Sequence, residues 1–572
     1  MRTCILAAAL LLAACDEGPA SPALQLRVAE LFREGTALEV GGVLTLTAAE
    51  AGSIILPGFA DGAEYVYVPF NASESATAQL ELQVQGTNVL PPTGASASRA
   101  AGPSRAAIPL PGDPPEDARW HLRLRQRESR ELTPLVRAAA AAPDFSRAAA
   151  GAIPAAPALG DVLEINANAE QPCRQPDLRR GRVVALSGRA VVVEDLANPS
   201  GGFSEAEYRN VAQVFDTLIY PVSVRNFGEP RYASFIAPQE RIILFYTRAV
   251  NDLTAPGSNS YVGGFFFGRD LYPRQPQGRF EACPASNQAP IMYLLAPDPR
   301  GEAGSVRSRD FVLRVTLGTV AHEFQHLINQ ARRLFVTAGA QPFEEVWLNE
   351  GLSHIAEELM FYHSTRLGPR ENIGPAALVT PHVLQMFFTY QVSNFGRYIS
   401  YLENPDTTAL IGVDDLPTRG ASWAFLRYAA DQEPGEDALF FRRLVDGVGS
   451  GVPNLARALP VSPIDLMQSW TVSVFTDDAL PGVVFPPLYQ QPSWNFRSVI
   501  TGFKNAQGTP LHPGYPLRVS ALTAQEQTFR LKPGGAAFLR FRVPAGEEAV
   551  IRTTAGGTVP GERLRISVVR ID

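Results

Sequence analysis

Hydrophobic and polar positions alternate in short runs near both ends of the chain, and helical spacing dominates much of the region between them. Strict alternation is typical of strands that bury one face, and Gly, Asn and Ser separate the runs as they do in turns. The first runs predict a small β-sandwich and the last predict a second β domain. The clearest predicted strands are Gly42–Thr47, Glu64–Val68, Leu80–Val84, Ala537–Val543, Glu548–Thr553 and Leu564–Ile571.

Another β-rich stretch, at about residues 162–299, precedes a long helical stretch. A helix at about Ser204–Leu218 interrupts it, and from Asp310 to about Asp477 apolar residues recur three and four positions apart, which indicates helices. Residues 90–160 are rich in Ala, Pro, Ser and Arg, and within them Ala138–Ala142 and Ala148–Ala158 indicate a linker or a weak helix. The strands predicted in this stretch are Arg182–Leu186, Ala190–Val193, Arg241–Tyr246 and Ile291–Leu295.

Composition narrows the class of protein. Hydrophobic residues make up 45% of the 572 positions, the formal net charge is −7, and no basic stripe follows any predicted element. We therefore expect a globular protein that has no nucleic-acid partner.

The first residues form a processing segment. The apolar run Ile5–Ala14 is too short for a permanent transmembrane helix, and Leu12-Ala13-Ala14-Cys15 resembles the bacterial lipoprotein cleavage box. The resemblance implies cleavage before Cys15 and a lipid on its thiol; the alternative is an ordinary signal peptide with an incidental cysteine. We expect an exported protein, anchored by lipid to the cell envelope at the periplasmic face or the cell surface.

Two cysteines, Cys173 and Cys283, remain in the exported part of the chain. An oxidising compartment favours a disulfide between them, and two separate buried thiols are the alternative.

The strongest chemical signal is the sequence His322-Glu323-Phe324-Gln325-His326 within an apolar helical run. Positions i and i+4 share one face of a helix, so His322 and His326 can bind one metal ion, and Glu323 lies beside them as a general base. Four of the seven histidines fall between residues 322 and 363.

A second segment, Trp347–Ser353 with the sequence W-L-N-E-G-L-S, resembles the glutamate helix of the gluzincin metallopeptidases, the clan of thermolysin and aminopeptidase N. The resemblance implies a Zn²⁺ ion held by His322, His326 and Glu350, with an open position for water. Glu345 competes as the third ligand, because 18 residues separate it from His326, the spacing seen in many gluzincins, whereas 23 separate Glu350. The N-E-G frame favours Glu350.

The sequence H-E-F-Q-H-L-I-N, followed by W-L-N-E-G, most resembles that of the hyicolysin-type neutral zinc metallopeptidases. This resemblance covers about residues 311–360. It implies an α+β protein with a thermolysin-like domain, in which a β-sheet subdomain precedes the zinc-site helices. The resemblance does not explain the two outer β regions, which alternation predicts as N- and C-terminal β-sandwich-like domains that flank this domain. The expected segments are a signal peptide at 1–14, a lipidated tether at 15–35, an N-terminal β domain at 36–130, an Ala/Pro-rich linker at 131–160, the metallopeptidase domain at 161–480 and a C-terminal β domain at 485–572.

Residues around the ligands depart from the thermolysin pattern. His354 stands where that pattern has an aspartate, and Glu357 shares the helical face of Glu350, so both are candidates to support a ligand histidine; the alternative is a solvated face. Four residues are candidates for stabilising the oxyanion, and the sequence does not choose between them, because Pro417 occupies the position that matches the aminopeptidase tyrosine. The candidates are His382, Tyr390, Tyr398 and Tyr401.

Substrate binding in gluzincins uses the edge of a sheet, and the glycine-rich run Tyr261–Gly268 is a candidate for that edge. A buried core strand is the alternative that we slightly favour. The expected function is a zinc metalloendopeptidase acting on peptide or protein substrates, attached to the membrane through Cys15. Two alternatives are a surface-anchored binding module with a degenerate peptidase fold, and a zinc aminopeptidase.

Overall fold

A computed structural model describes residues 38–47, 50, 52–92, 115–137, 153–238, 240–258, 261–412, 414–504, 508–558 and 561–572. The predicted signal peptide, the lipidation site Cys15 and the tether at 15–35 lie outside the described residues. No helix in the described ranges is long and apolar enough to cross a bilayer.

Strands occur in three sheets. They are β1 (Val43–Thr47), β2 (Ser53–Pro57), β3 (Ala63–Asn71), β4 (Leu80–Thr87), β5 (Val162–Asn166), β6 (Leu178–Leu186), β7 (Ala190–Asp195), β8 (Ile242–Thr247), β9 (Gly264–Phe266), β10 (Ile291–Leu295), β11 (Ser520–Ala521), β12 (Gln527–Leu531), β13 (Leu539–Val543), β14 (Glu548–Thr554) and β15 (Leu564–Arg570).

Helices dominate residues 309–476. In chain order the α-helices are α1 (Pro115–Leu132), α2 (Glu205–Val214), α3 (Tyr220–Phe227), α4 (Arg248–Asn251), α5 (Arg309–Phe335), α6 (Val346–Thr365), α7 (Pro381–Tyr390), α8 (Val392–Glu403), α9 (Leu416–Gln432), α10 (Asp437–Val445), α11 (Val452–Ala458), α12 (Pro463–Thr476) and α13 (Phe496–Gly502). The α+β class and the predicted helical stretch are confirmed.

The strands from the two ends of the chain form one β-sandwich, not the two separate domains that we predicted. One sheet has the order β1-β15-β3-β13-β11 and the other has the order β12-β4-β14-β2. Strand β15 lies between β1 and β3, and the hydroxyls of Tyr67 and Thr553 hydrogen-bond in the core over 2.6 Å. Neither group of strands could complete a sheet alone, because each leaves hydrogen-bonding edges that only the other group satisfies.

The third sheet has the order β5-β6-β7-β8-β10-β9 and supports the helical region. Strands β7, β8 and β10 are parallel to one another and fully or nearly fully buried, whereas β9 pairs antiparallel with β10 at the end of the sheet. The four strands predicted in this stretch are confirmed. The run Tyr261–Gly268 therefore contains an edge strand, and it is also buried, because α5 packs on β9 and side chains of α1 contact it.

Helix α1 corrects two predicted boundaries. It lies within the segment assigned to the N-terminal β domain, 36–130, yet its Trp120 ring packs 5.1 Å from the Phe265 ring of β9. The predicted linker at 131–160 also contains packed residues, since Leu132 and Ile153 are buried and Val136 forms a bridge to Phe280. The Ala-rich composition of the flanking sequence concealed this helix.

Cys173 and Cys283 form the predicted disulfide, which joins the segment after β5 to the segment before β10. The bridge closes a loop of 110 residues, and a closed loop of that length removes much conformational freedom from the unfolded chain.

We expect the double variant Cys173→Ser/Cys283→Ser to lose about 2–5 kcal/mol in the free energy of unfolding, because its unfolded chain is less constrained. Urea denaturation measures the difference, and a reductant should destabilise the wild-type protein but leave the double variant unaffected. Equal denaturation midpoints for both proteins would contradict a stabilising role of the bridge.

Candidate metal centre

Helices α5 and α6 cross so that their facing sides bring the predicted site together. The Ser308 side chain caps α5 by accepting from the Phe311 N–H, and α5 then runs for 27 residues through the core. Two polar contacts join the helices: the Ser353 hydroxyl donates to Gln325 Oε1 over 2.7 Å, and the amides of Asn329 and Asn349 hydrogen-bond over 2.8 Å. The N-E-G frame of α6 therefore lies directly opposite the H-E-x-x-H turns of α5.

Three side chains converge as a metal site requires. The Nε2 atoms of His322 and His326 lie 3.2 Å apart, and the Glu350 oxygens lie 3.2 Å from the first and 3.4 Å from the second. Glu350 is fully buried. Glu345, by contrast, precedes α6, and its carboxylate accepts from the Trp347 indole N–H over 2.7 Å. The structure thus places Glu350, and not Glu345, against both histidines.

Glu323 stands beside this group and is oriented by two contacts. Its Oε2 accepts from the backbone N–H of Phe266 over 2.7 Å and lies 3.3 Å from Arg125 Nη2. A Glu323 oxygen also lies within 4.8 Å of both imidazoles, so distance alone permits it as a ligand. The Glu323 carboxylate is hydrogen-bonded to the edge strand β9, whereas both Glu350 oxygens face the histidines. Glu350 is therefore the better candidate for the third ligand.

Partners of the two histidines fix which ring nitrogen faces the site. His322 Nδ1 donates to Glu357 Oε1 over 2.7 Å, and His354 Nδ1 contacts the same oxygen over 3.0 Å. His326 Nδ1 lies 3.1 Å from the Ser353 hydroxyl. Such contacts to the far nitrogen orient a metal-binding imidazole, so the structure brings both predicted residues, His354 and Glu357, to His322.

Two arginines that the sequence did not indicate enter the site. Arg125 of α1 reaches Glu350 Oε1 at 3.6 Å, and Arg419 of α9 reaches Glu350 Oε2 at 3.2 Å. Arg419 also forms a bidentate pair with Asp414, at 2.5 and 2.8 Å. The sequence signal that could have revealed α1 is the spacing of the apolar residues Trp120 and Leu124, which lie four positions apart as on one face of a helix. Arg125 directly follows Leu124.

Glycines allow the close helix packing that places Arg419. A Cβ at Gly351 would lie 2.9 Å from a Leu426 methyl, so α9 packs tightly on α6 only because the N-E-G frame ends in glycine. At Gly420 a Cβ would lie 2.3 Å from the carbonyl carbon of Arg397, where α8 crosses α9.

The charges of the site fit a divalent cation. Among the described residues, five buried carboxylates face two buried guanidiniums, those of Arg125 and Arg419, and the two imidazoles and these guanidiniums are the groups nearest to the Glu350 oxygens. Uncompensated buried charge is costly, so this excess of negative charge favours a cation between the imidazoles and Glu350. Two imidazoles and a carboxylate are a donor set typical of catalytic zinc. The carboxylates are those of Glu128, Glu323, Glu350, Glu357 and Asp414.

Burial and charge shift the pKa of every ligand. Burial and the Arg125 charge lower the pKa of His326 to about 3. Burial would also lower the pKa of His322, but hydrogen bonds to Glu350 and Glu357 outweigh it and raise this pKa to about 9. Burial would raise the pKa of Glu350, yet Arg419 and the histidines hold it well below its usual value. A metal ion entering the site would therefore replace a proton on His322.

None of the predicted oxyanion residues lines the site. Tyr398 and Tyr401 are fully buried, with their rings against Phe496 and Trp470, and Tyr390 is also buried. His382 is exposed and contacts the Ser364 carbonyl over 2.8 Å. The three tyrosines pack in the core and His382 lies at the surface, so none of the four is placed to stabilise an oxyanion at this site.

Two cavities adjoin the metal site. One, of about 380 Å³, is lined by His322 and Glu323 together with His121, Gly264, Arg397 and Arg419. The other, of about 470 Å³, is lined by His326 together with Arg125, Glu128, Phe266, Glu345 and Asn349. Helix α1 contributes side chains to both cavities. No family model matches this chain, and no curated protein matches it.

We expect Glu350→Ala to weaken zinc binding by more than about 100-fold, since loss of outer partners alone typically costs 10–100-fold. Glu345→Ala is the matched control and should keep one zinc per chain. Competition with a fluorescent chelator measures both affinities. Loss of zinc from Glu345→Ala, with zinc retained in Glu350→Ala, would reverse the assignment.

Proposed function

We propose that the chain is a zinc metalloendopeptidase with a thermolysin-like arrangement of its central domain, exported and anchored by lipid on Cys15. The observation that best supports this function is the convergence of His322, His326 and Glu350 beside Glu323, at the wall of a cavity. An intact ligand set with an oriented base favours catalysis over a degenerate binding module.

The two imidazoles and the Glu350 carboxylate would hold the zinc ion. When bound there, zinc supplies Lewis-acid polarisation of a water molecule and of the substrate carbonyl group.

Glu323 is the residue that moves protons. Its carboxylate takes a proton from the attacking water and delivers it to the leaving amine nitrogen. The Phe266 N–H fixes the direction of this carboxylate, and burial raises its pKa above the usual value, although His322 and Arg125 oppose the rise. A raised pKa suits a carboxylate that must accept and then release a proton near neutral pH.

Arg419 is the residue best placed to stabilise negative charge on the substrate carbonyl oxygen. It lines the cavity that contains Glu323 and His322, and its pairing with Asp414 fixes the guanidinium plane. A preorganised cation in a site shielded from water stabilises a developing oxyanion strongly. Arginine would therefore replace the histidine or tyrosine that we expected from the resemblance.

Glu323→Gln should keep stoichiometric zinc and lose at least about 10²–10⁴-fold in kcat/KM, because the proton acceptor is removed while the ligands remain. The assay is cleavage of casein and of an N-acetylated quenched peptide, with and without a chelator. Cleavage of the blocked peptide separates an endopeptidase from an aminopeptidase. Undiminished activity in Glu323→Gln would refute the role of this base.

Arg419→Ala should lower kcat about 10²–10³-fold, the usual effect of losing one oxyanion donor, and Arg419→Lys should restore part of it. Zinc content is measured on the same samples, because Arg419 contacts Glu350. The control is Arg314→Ala, which removes an exposed arginine from the rim of the same cavity. Equal kcat values for the Arg419 and Arg314 variants would rule out the role of Arg419.

A further inference from the structure

Helix α1 inserts a pair of charged side chains into the catalytic centre. Arg125 and Glu128 lie one turn apart, pair over 2.7 Å and are almost completely buried. Arg125 also contacts Glu323 at 3.3 Å and Glu350 at 3.6 Å. A single helix thus engages both the proposed base and the proposed third ligand.

The same pair occupies the open edge of the central sheet. Alternation along β9 turns the backbone of Phe265 toward β10 and that of Phe266 away from it. The Phe266 carbonyl accepts from Arg125 over 3.1 Å, and the Gly268 N–H donates to Glu128 over 2.6 Å. The Phe266 N–H is already held by Glu323. Among the described residues no strand pairs with this edge.

The Phe266 carbonyl and the Gly268 N–H are groups that an extended peptide would need. A peptide that adds to a sheet edge binds through the N–H and C=O groups of alternate residues. The guanidinium of Arg125 takes the place of a peptide N–H donor, and the carboxylate of Glu128 takes the place of a peptide C=O acceptor. Side chains of α1 therefore make the hydrogen bonds that the backbone of a substrate strand would make at this edge.

The seat of α1 combines apolar anchors with a charged centre. Within its residues of described burial, Trp120, Leu124 and Leu132 are buried, Trp120 against Phe265, whereas Arg123 and Arg130 on other faces of the helix are exposed. Buried ion pairs add little net stability, because water solvates the separated charges well. Arg125 and Glu128 leave together as a pair, so the charged centre adds little to the cost of displacing α1.

We propose that α1 is an inhibitory plug, which occupies the substrate edge and restrains Glu323 until a polypeptide substrate displaces it. The inference rests on the proposed function, since it assigns the edge of β9 to that substrate. It makes α1 a competitor within the same chain, so the fraction of molecules with α1 displaced sets the apparent KM.

The decisive variant is Arg125→Ala in the full, zinc-loaded chain. Loss of the plug should lower the KM for an extended quenched peptide by about tenfold or more, as the binding-competent fraction rises. Glu128→Ala removes a different contact of the same plug and should act in the same direction, which covers the case in which Arg125→Ala does not fold. The matched control is Arg123→Ala, on the exposed face of α1, which should leave KM unchanged.

Hydrogen exchange of the Gly268 amide supplies a readout that does not depend on catalysis. It should become at least about tenfold faster in both variants and remain unchanged in Arg123→Ala, because Glu128 no longer holds that amide. Faster exchange in Arg125→Ala, with no peptidase activity in the wild-type chain, would show that α1 can leave the edge but would refute the proposed function and with it the inhibitory role. Unchanged exchange, or a fall in kcat with no fall in KM, would overturn the plug and make α1 a permanent support for Glu323.

Discussion

A group of charges held out of water between α5 and α6 is the constraint on which the rest of the structure depends. Each buried carboxylate costs several kcal/mol to desolvate, so each must meet a cation, an imidazole or a backbone donor at short range. Four separate segments supply these partners, namely α1, β9, α5 and α9. Helix α9 reaches this group because Gly351 and Gly420 carry no side chain where α9 crosses α6 and α8. A shift of α9 against α6 would take Arg419 away from Glu350 and leave charge unpaired in the core.

Local sequence patterns predicted helices and strands well wherever neighbouring residues determine the structure. The spacing of His322 and His326 requires a helix if both bind one metal ion, a short apolar run located the strand Ile291–Leu295, and alternation located Glu548–Thr554 nearly to the residue. The N-E-G sequence around Glu350 agreed with the observed position of its carboxylate, whereas its distance from His326 in the sequence did not favour it. A longer connection between α5 and α6 changes that distance without changing the surfaces that face each other. The pairing of Cys173 with Cys283 followed from elimination and compartment.

Contacts between distant segments were beyond such patterns. Nothing local indicates that Arg125, in an Ala- and Pro-rich region, reaches Glu323 across 198 positions of sequence. The tyrosines of α7 and α8 were plausible by residue type alone, yet whether a tyrosine faces a cavity or an aromatic core depends on helix packing. The β-strands near the two ends were recognised individually, but alternation does not reveal which strand is the partner.

The shared sandwich also determines the order in which the chain can fold. Tyr67 and Thr553 are 486 positions apart, so the first four strands stay without their partners until almost the whole chain is present. At about 5–20 residues per second, synthesis alone leaves their edges open for roughly half a minute or longer. Contacts of such high sequence separation form slowly, and open edges invite pairing with other chains. The sandwich therefore closes last, after the central region that its two halves flank in the sequence.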